Sequence, residues 1–198
     1  IESGKEYKII DYSKIVNTNV FRNLNLGIDP SLFTSKQIKK FFVKNNRITI
    51  IKKNLVDKIS KIKNKKNSFF YSIDKTITGE GHHKKISRIS SFLKRNKYDY
   101  LFVTAPENIA WLLNIRGHDS PTSPIPNSNL LLTKEKHVFL FSEKNKTTKL
   151  VKEKKLKQNQ IIDPKYILDF FDKLKKGTVL LDEKTCSLYL EKGIEKKF

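Results

Sequence analysis

The chain has 198 residues, 37% of them hydrophobic and 11% aromatic, with a formal net charge of +21. That is enough apolar material for one large domain, or one domain plus a piece of another, and it excludes a membrane helix because no run approaches the roughly 20 apolar residues a span needs. One cysteine, Cys186, excludes an internal disulfide and fits a reducing, cytoplasmic setting.

Residues 1–58 read as the C-terminal part of a first domain, truncated. Glu2, Lys5 and Glu6 interrupt any apolar leader, so no signal peptide is read. "KEYKIIDYSKIV" begins without a cap or a strand partner. "NLNLGIDP" supplies a short strand ending at Gly27. The spacing of Ile38, Phe41 and Phe42 predicts a helix from Thr34 to Lys44. "RITII" is a β-branched strand, and Asn54 is an N-cap for "NLVDKI". One strand–helix–strand unit is too little to fold well alone. Residues 59–68 are a Lys/Asn-rich linker.

Residues 69–198 read as a second domain. "FFYSID" opens it, and after Gly79 and Gly81 a helix places Ile86, Ile89, Phe92 and Leu93 on one face. Tyr100 to Val103 is a buried strand. Pro106 then starts a helix at the position where a missing N–H costs nothing, and Glu107 suits the positive end of its dipole. This helix is expected to carry Ile109, Trp111, Leu112 and Leu113 inward, with Trp111 as a core anchor, and to stop near Asn114. Arg116-Gly117-His118-Asp119 follows, then Pro121, Pro124 and Pro126, which force an extended loop. "NLLLT" and "HVFLF" form a strand pair. Lys144 to Lys157 is a charged surface helix. A further helix starts at Asp163-Pro164, buries Ile167, Phe170, Phe171 and Leu174, and ends at Gly177 as its C′ residue. "TVLLD" is a last strand, followed by a helix from Ser187 to Lys192. Alternating strands and helices with one hairpin imply an α/β domain, a mixed sheet with helices on both faces.

Lysine dominates the charge, spread along the chain beside abundant Asn and Ile. Nucleic-acid readers cluster their charge and favour Arg, so the lysines read as a solvated surface, with neither nucleic acid nor membrane as partner. His82 and His83 adjoin on a helix start, where neighbouring side chains point apart, and are read as surface imidazoles rather than metal ligands. His137 opens a strand with no second ligand nearby. Asp172 and Asp182 have a spacing that two-metal sites use, but no histidine follows His137. Cys186 reads as a packing residue. No Ser-His-Asp, Cys-His, phosphate-loop or paired-cysteine pattern occurs, so no catalytic residue and no metal ligand is assigned. The candidates left are Arg116, His118 and Asp119, on a polar loop presented by a rigid strand–helix unit, with Trp111 and Gly117 as structural anchors. Arg116 and Asp119 either brace the loop, by pairing with each other or with backbone groups, or face a cleft.

At "ENIAWLLNIRGHD", with a proline soon after and an apolar strand beyond, the chain resembles the second domain of three-domain Xaa-Pro aminopeptidases (the aminopeptidase P family). "LGIDPSLFTSKQIKKF" and "NLVDKI" resemble the end of that family's first domain. "TGEGHHKKISRISSFLKRN" and "GTVLLDEKTCSLYLEKGI" resemble further parts of the second. Ser120-Pro121-Thr122-Ser123 and Asn129 depart from the family's pattern. The resemblance implies a creatinase N-terminal-like, ribonuclease H-like fold. It also implies a non-catalytic portion of an enzyme that removes the residue preceding proline by two-metal hydrolysis. The two divalent ions, manganese, would sit in a catalytic domain outside this chain. That domain, proline-containing peptides and a second copy joined through that domain would be its partners. Arg116, His118 and Asp119 would line the substrate entrance. The alternative is a basic, non-enzymatic binding module on the same fold, for nucleic acid or an acidic protein.

Overall fold

The computed structural model describes Ile9, Asp11, Lys14 and residues 21–42, 45–51, 54–59 and 68–198. Most of "KEYKIIDYSKIV", the end of the first helix at Lys44 and the linker core 60–67 lie outside the described residues.

The first unit is a small parallel pair with a crossover helix. Strand β1 (Asn25–Ile28) pairs with β2 (Arg47–Ile50), from Asn25 against Arg47 to Ile28 against Ile50. Helix α1 (Ser35–Phe41) begins in a capping box. Gln37 N–H donates to Thr34 Oγ1 over 3.1 Å, and Thr34 N–H donates to Gln37 Oε1 over 2.9 Å. Helix α2 (Leu55–Ile59) starts as read, with Asn54 Oδ1 accepting from Val56 N–H at 2.8 Å.

The second unit runs β3 (Tyr71–Ser72), α3 (Lys75–Thr78), α4 (His82–Arg95), β4 (Tyr100–Val103), α5 (Pro106–Leu113) and β5 (Ile115–Arg116). It continues with β6 (Asn129–Thr133), β7 (Val138–Phe141), α6 (Lys144–Lys152), β8 (Ile161–Ile162), α7 (Ile167–Asp172), β9 (Val179–Leu181) and α8 (Leu188–Glu195). Five strands form one sheet in the order β8-β7-β6-β4-β9. The inner pairs β7–β6 and β6–β4 are antiparallel, while the edge strands β8 and β9 join in parallel. The sheet is therefore mixed, as the pattern of strands and helices requires.

Side chains alternate across it, and both faces are covered. Leu130, Leu132, Val138 and Leu140 face one core, closed by Ile86 and Leu93 of α4, Ile109, Leu112 and Leu113 of α5 and Leu150 of α6. Tyr100, Phe102, Leu131 and Phe141 face the other, closed by Ile167 and Phe171 of α7 and Ile194 of α8, with Cys186 fully buried among them. Edge-to-face rings order this second core: Phe102 lies 5.2 Å from Phe171 at 89° and 6.1 Å from Phe141 at 78°.

Two inward assignments and one helix terminus need correction. Trp111 is 46% exposed and anchors no core. It lies two positions beyond Ile109, about 200° round a helix of 3.6 residues per turn, while Ile109, Leu112 and Leu113 keep the buried stripe. Phe92 is likewise exposed. Gly177 is no left-handed helix terminus, since Gly79 alone has positive φ among the described glycines and α7 already ends at Asp172. A Cβ at Gly177 would instead come within 2.5 Å of the Asp99 carboxylate, which is why glycine stands there.

The first unit touches the second at the start of α8. Ser187 is the N-cap, and Leu188 N–H donates to Phe33 O over 2.8 Å, Tyr189 N–H to Pro30 O over 2.9 Å. Ser35 Oγ donates to Glu191 Oε1 over 3.0 Å beside them.

Candidate functional site

The loop after α5 is fixed at both of its ends. Asn114 ends the helix in the left-handed conformation (φ 52°, ψ 50°) that asparagine tolerates best among residues with a side chain. It is buried, and its amide nitrogen donates to Thr78 Oγ1 at 2.9 Å and Glu80 O at 2.8 Å. Its Oδ1 accepts from Lys85 Nζ at 2.7 Å, and the same amine donates to Trp111 O at 2.9 Å. Lys85 is 3% exposed; burial pushes its pKa down, partly offset by the Glu80 charge. The ammonium also lies 4.5 Å from the centre of the Trp111 ring, with the Arg88 guanidinium on the same ring at 5.8 Å.

Strand β5 then pairs antiparallel with β3, Tyr71 against Arg116 and Ser72 against Ile115. Arg116 folds back on the end of α5, its Nη1 donating to Ile115 O at 2.8 Å and Ala110 O at 3.2 Å. Gly117 follows where nothing larger fits. A Cβ there would lie 2.8 Å from the Phe70 ring and 3.0 Å from Pro126 Cα.

Asp119 is the tie at the far end. Its Oδ1 accepts from Ser68 Oγ at 2.7 Å and Lys146 Nζ at 3.0 Å, and its Oδ2 from Asn127 N–H at 2.8 Å. Burial pushes this carboxyl up, but the hydrogen bonds from Ser68, Lys146 and Asn127 outweigh it and hold its pKa below the ordinary value. Arg116 and Asp119 thus take separate partners, and each braces the loop through groups other than the other. Between them His118 stands exposed, its ring stacked on Tyr71 at 5.5 Å and 26°. An open cleft of about 530 Å³ adjoins it, lined by Phe69, Tyr71, His118, Thr148, Lys149 and Lys152.

Sequence reasoning placed Arg116, Gly117, His118 and Asp119 together but missed Ser68, Lys146, Lys85 and Asn114, which hold them. Lys146 lies 27 positions from Asp119, and nothing local distinguishes it or Lys85 from the surrounding lysines. His82 and His83 do not point apart: their rings lie 3.9 Å apart, tilted by 38°. Asp172 pairs with Lys197, whereas Asp182 Oδ1 accepts from Lys184 N–H at 2.9 Å, so the two serve different turns. Among the described residues no three of His, Cys, Asp or Glu converge as metal ligands, and no helix is long and apolar enough to cross a membrane. Metal chemistry therefore has no fitting donor set in these residues.

The chain is similar to Xaa-Pro aminopeptidase app-1 of Caenorhabditis elegans, 33% identical over 125 residues that cover 60% of this chain and 20% of that protein. It is 29% identical to Xaa-Pro aminopeptidase 1 of Dictyostelium discoideum over 143 residues, 72% of this chain and 22% of that protein. The chain thus spans about a fifth of the length of the curated relatives it matches. Its fold is that of part of a crystal structure of X-prolyl aminopeptidase from Caenorhabditis elegans, described as a cytosolic enzyme with a di-nuclear active site. The TM-score is 0.63 at 22% identity, over 86% of this chain and 28% of that one. The family model for the creatinase/prolidase N-terminal domain matches residues 61–198. The chain belongs to the creatinase/prolidase N-terminal domain family.

Proposed function

We propose that this chain is the non-catalytic N-terminal portion of an Xaa-Pro aminopeptidase, and that its loop Arg116–Asp119 shapes the substrate entrance. The observation that carries the reading is the contrast within that loop. Gly117 and Asp119 are locked by Phe70, Pro126, Ser68 and Lys146, while His118 between them is held out on Tyr71 beside an open cleft. Bracing a loop at its flanks to present one polar ring is how a rigid scaffold prepares a contact. The similarity to Xaa-Pro aminopeptidases supports the enzyme class.

On this reading residues 1–58 end a first domain, 59–68 are a linker and 69–198 form the second domain. A catalytic domain beyond it would bind two divalent ions, manganese, that activate water on an Xaa-Pro bond. Its residues would be this loop's partner, with proline-containing peptides as substrate, a homodimer forming through that domain, and the cytoplasm as location.

The test is His118→Ala in the complete protein. kcat/KM on an Xaa-Pro peptide should fall while the melting temperature stays put. Unchanged kcat/KM would remove the loop from the entrance.

A further inference from the structure

We propose that the cleft between the start of α4 and the Lys154–Lys157 turn is a binding site for a phosphate group on a small anionic ligand. The cleft encloses about 290 Å³, and its polar lining is almost entirely cationic or imidazole: His82, His83, Lys136, Lys154, Lys155 and Lys157. No carboxylate lines it. The acids nearby are already engaged. Glu80 is held by both Arg88 nitrogens at 2.7 and 3.0 Å, Glu153 pairs with Lys149 at 3.8 Å, and Asp74 caps α3 through Thr76 N–H at 2.8 Å.

Lys155 is the centre of the site. It is half-buried, and its ammonium lies 3.2 Å from His82 Nδ1, with no ion pair to a carboxylate among the described residues; the Glu153 and Asp74 charges act on it from longer range. A cation partly withdrawn from water without a direct ion-pair partner is costly, and an anion in the cleft supplies one. Burial and then the Lys155 charge push His82 down to about 4, and burial lowers Lys155 as well, partly offset by the Glu153 and Asp74 charges. The start of α4, a helix of 14 residues with no side-chain cap and no acid in its first turn, adds its dipole.

The donors select the ligand. Lysine ammoniums are point charges that converge from several directions, which suits a tetrahedral, multiply charged group; a planar carboxylate is better met by an arginine fork. No aromatic ring other than the two imidazoles lines the cleft, so it offers no platform for stacked bases as a polymer groove would.

The full-length protein is titrated by calorimetry with inorganic phosphate and with pyrophosphate, in low-chloride buffer, and separately with a short single-stranded oligonucleotide. One equivalent of pyrophosphate should bind saturably. Lys155→Gln with Lys157→Gln should weaken it by about tenfold or more, as loss of charge-assisted hydrogen bonds implies. Lys39→Gln with Lys40→Gln, on α1, should leave it unchanged. Lys136→Gln, on a separate turn, repeats the test if the first pair fails to fold. Binding of pyrophosphate should also raise the His82 titration midpoint followed by NMR. The proposal is overturned by absence of saturable binding, by equal weakening in the α1 pair, or by binding of the oligonucleotide alone.

Discussion

The buried amine of Lys85 and the side-chain oxygen of Asn114, 2.7 Å apart, join the second unit's longest helix to the residue that turns the chain into the candidate loop. Lys85 also reaches Trp111 O, so a single side chain satisfies two acceptors at the end of α5. Removing it leaves Asn114 Oδ1 without a partner, a loss of about 1–3 kcal/mol for a buried acceptor, and leaves Trp111 O only the longer bond from Asn114 N–H at 3.4 Å. Lys85→Met should therefore lower stability clearly in urea denaturation. Asn114→Ala should cost at least as much, since alanine also resists the left-handed backbone. The double mutant should be less than additive, because both changes break the same bond. Strict additivity would show that the bond contributes nothing.

Trp111 and Phe102 are expected to respond oppositely to truncation. Phe102 is 1% exposed within a cluster of rings, and Phe102→Ala should cost about 3–5 kcal/mol. Trp111 is half in solvent, with cations over its face, so Trp111→Ala should cost about 1–2 kcal/mol. Thermal melting of the two variants separates them. A Trp111→Ala protein as unstable as Phe102→Ala would mean that the tryptophan is covered in solution.

Gly117→Ala and Gly81→Ala form a second contrast. At Gly81 a Cβ meets nothing within 4 Å, whereas at Gly117 it runs into buried Phe70 and the backbone of Pro126. Overpacking of this kind costs about 1–3 kcal/mol. The Gly117 variant should melt lower, with the Gly81 variant close to the parent. Equal melting of the two would place Gly117 in a looser loop than the one described.

Acid should weaken the fold in a defined window. The folded-state pKa of His82 is lowered from 6.5 to about 4, by burial first and then by Lys155, His83 and Lys85. Between those values the unfolded chain binds a proton that the folded chain refuses, so stability present above pH 6.5 is lost as pH falls toward about 4. Asp119, also depressed, adds loss at still lower pH as its carboxyl protonates. Urea midpoints measured across this range should fall, and His82→Gln should flatten the slope. A midpoint that rises on acidification would contradict the half-buried, neutral imidazole.

Much of this architecture is legible in the sequence because it rests on period and punctuation. The 109, 112, 113 stripe, Pro106 at a helix start, Asn54 as a cap and the three-proline loop each follow from local chemistry. What stays hidden is set by distance along the chain. β3, β5 and β8 are two residues long, too short for any alternation to register, and they exist because a neighbouring strand offers bonds. Asp119 looks like a partner for Arg116, three positions away, until the fold brings Lys146 and Ser68 beside it. Trp111 is a different case: the apolar character of α5 argues for burial, whereas the angular position of Trp111 on that helix argues against it, and the angle decides.

The junction at α8 has a consequence for substitution. Leu188 opens that helix, the position where proline is ordinarily most welcome because the first N–H has no partner. Here that N–H is spent on Phe33 O, and the next on Pro30 O. Many side chains could replace Leu188 or Tyr189 without disturbing these two bonds, since the bonds belong to the main chain. Proline at Leu188 would suit the helix and still sever a main-chain bond that joins the units.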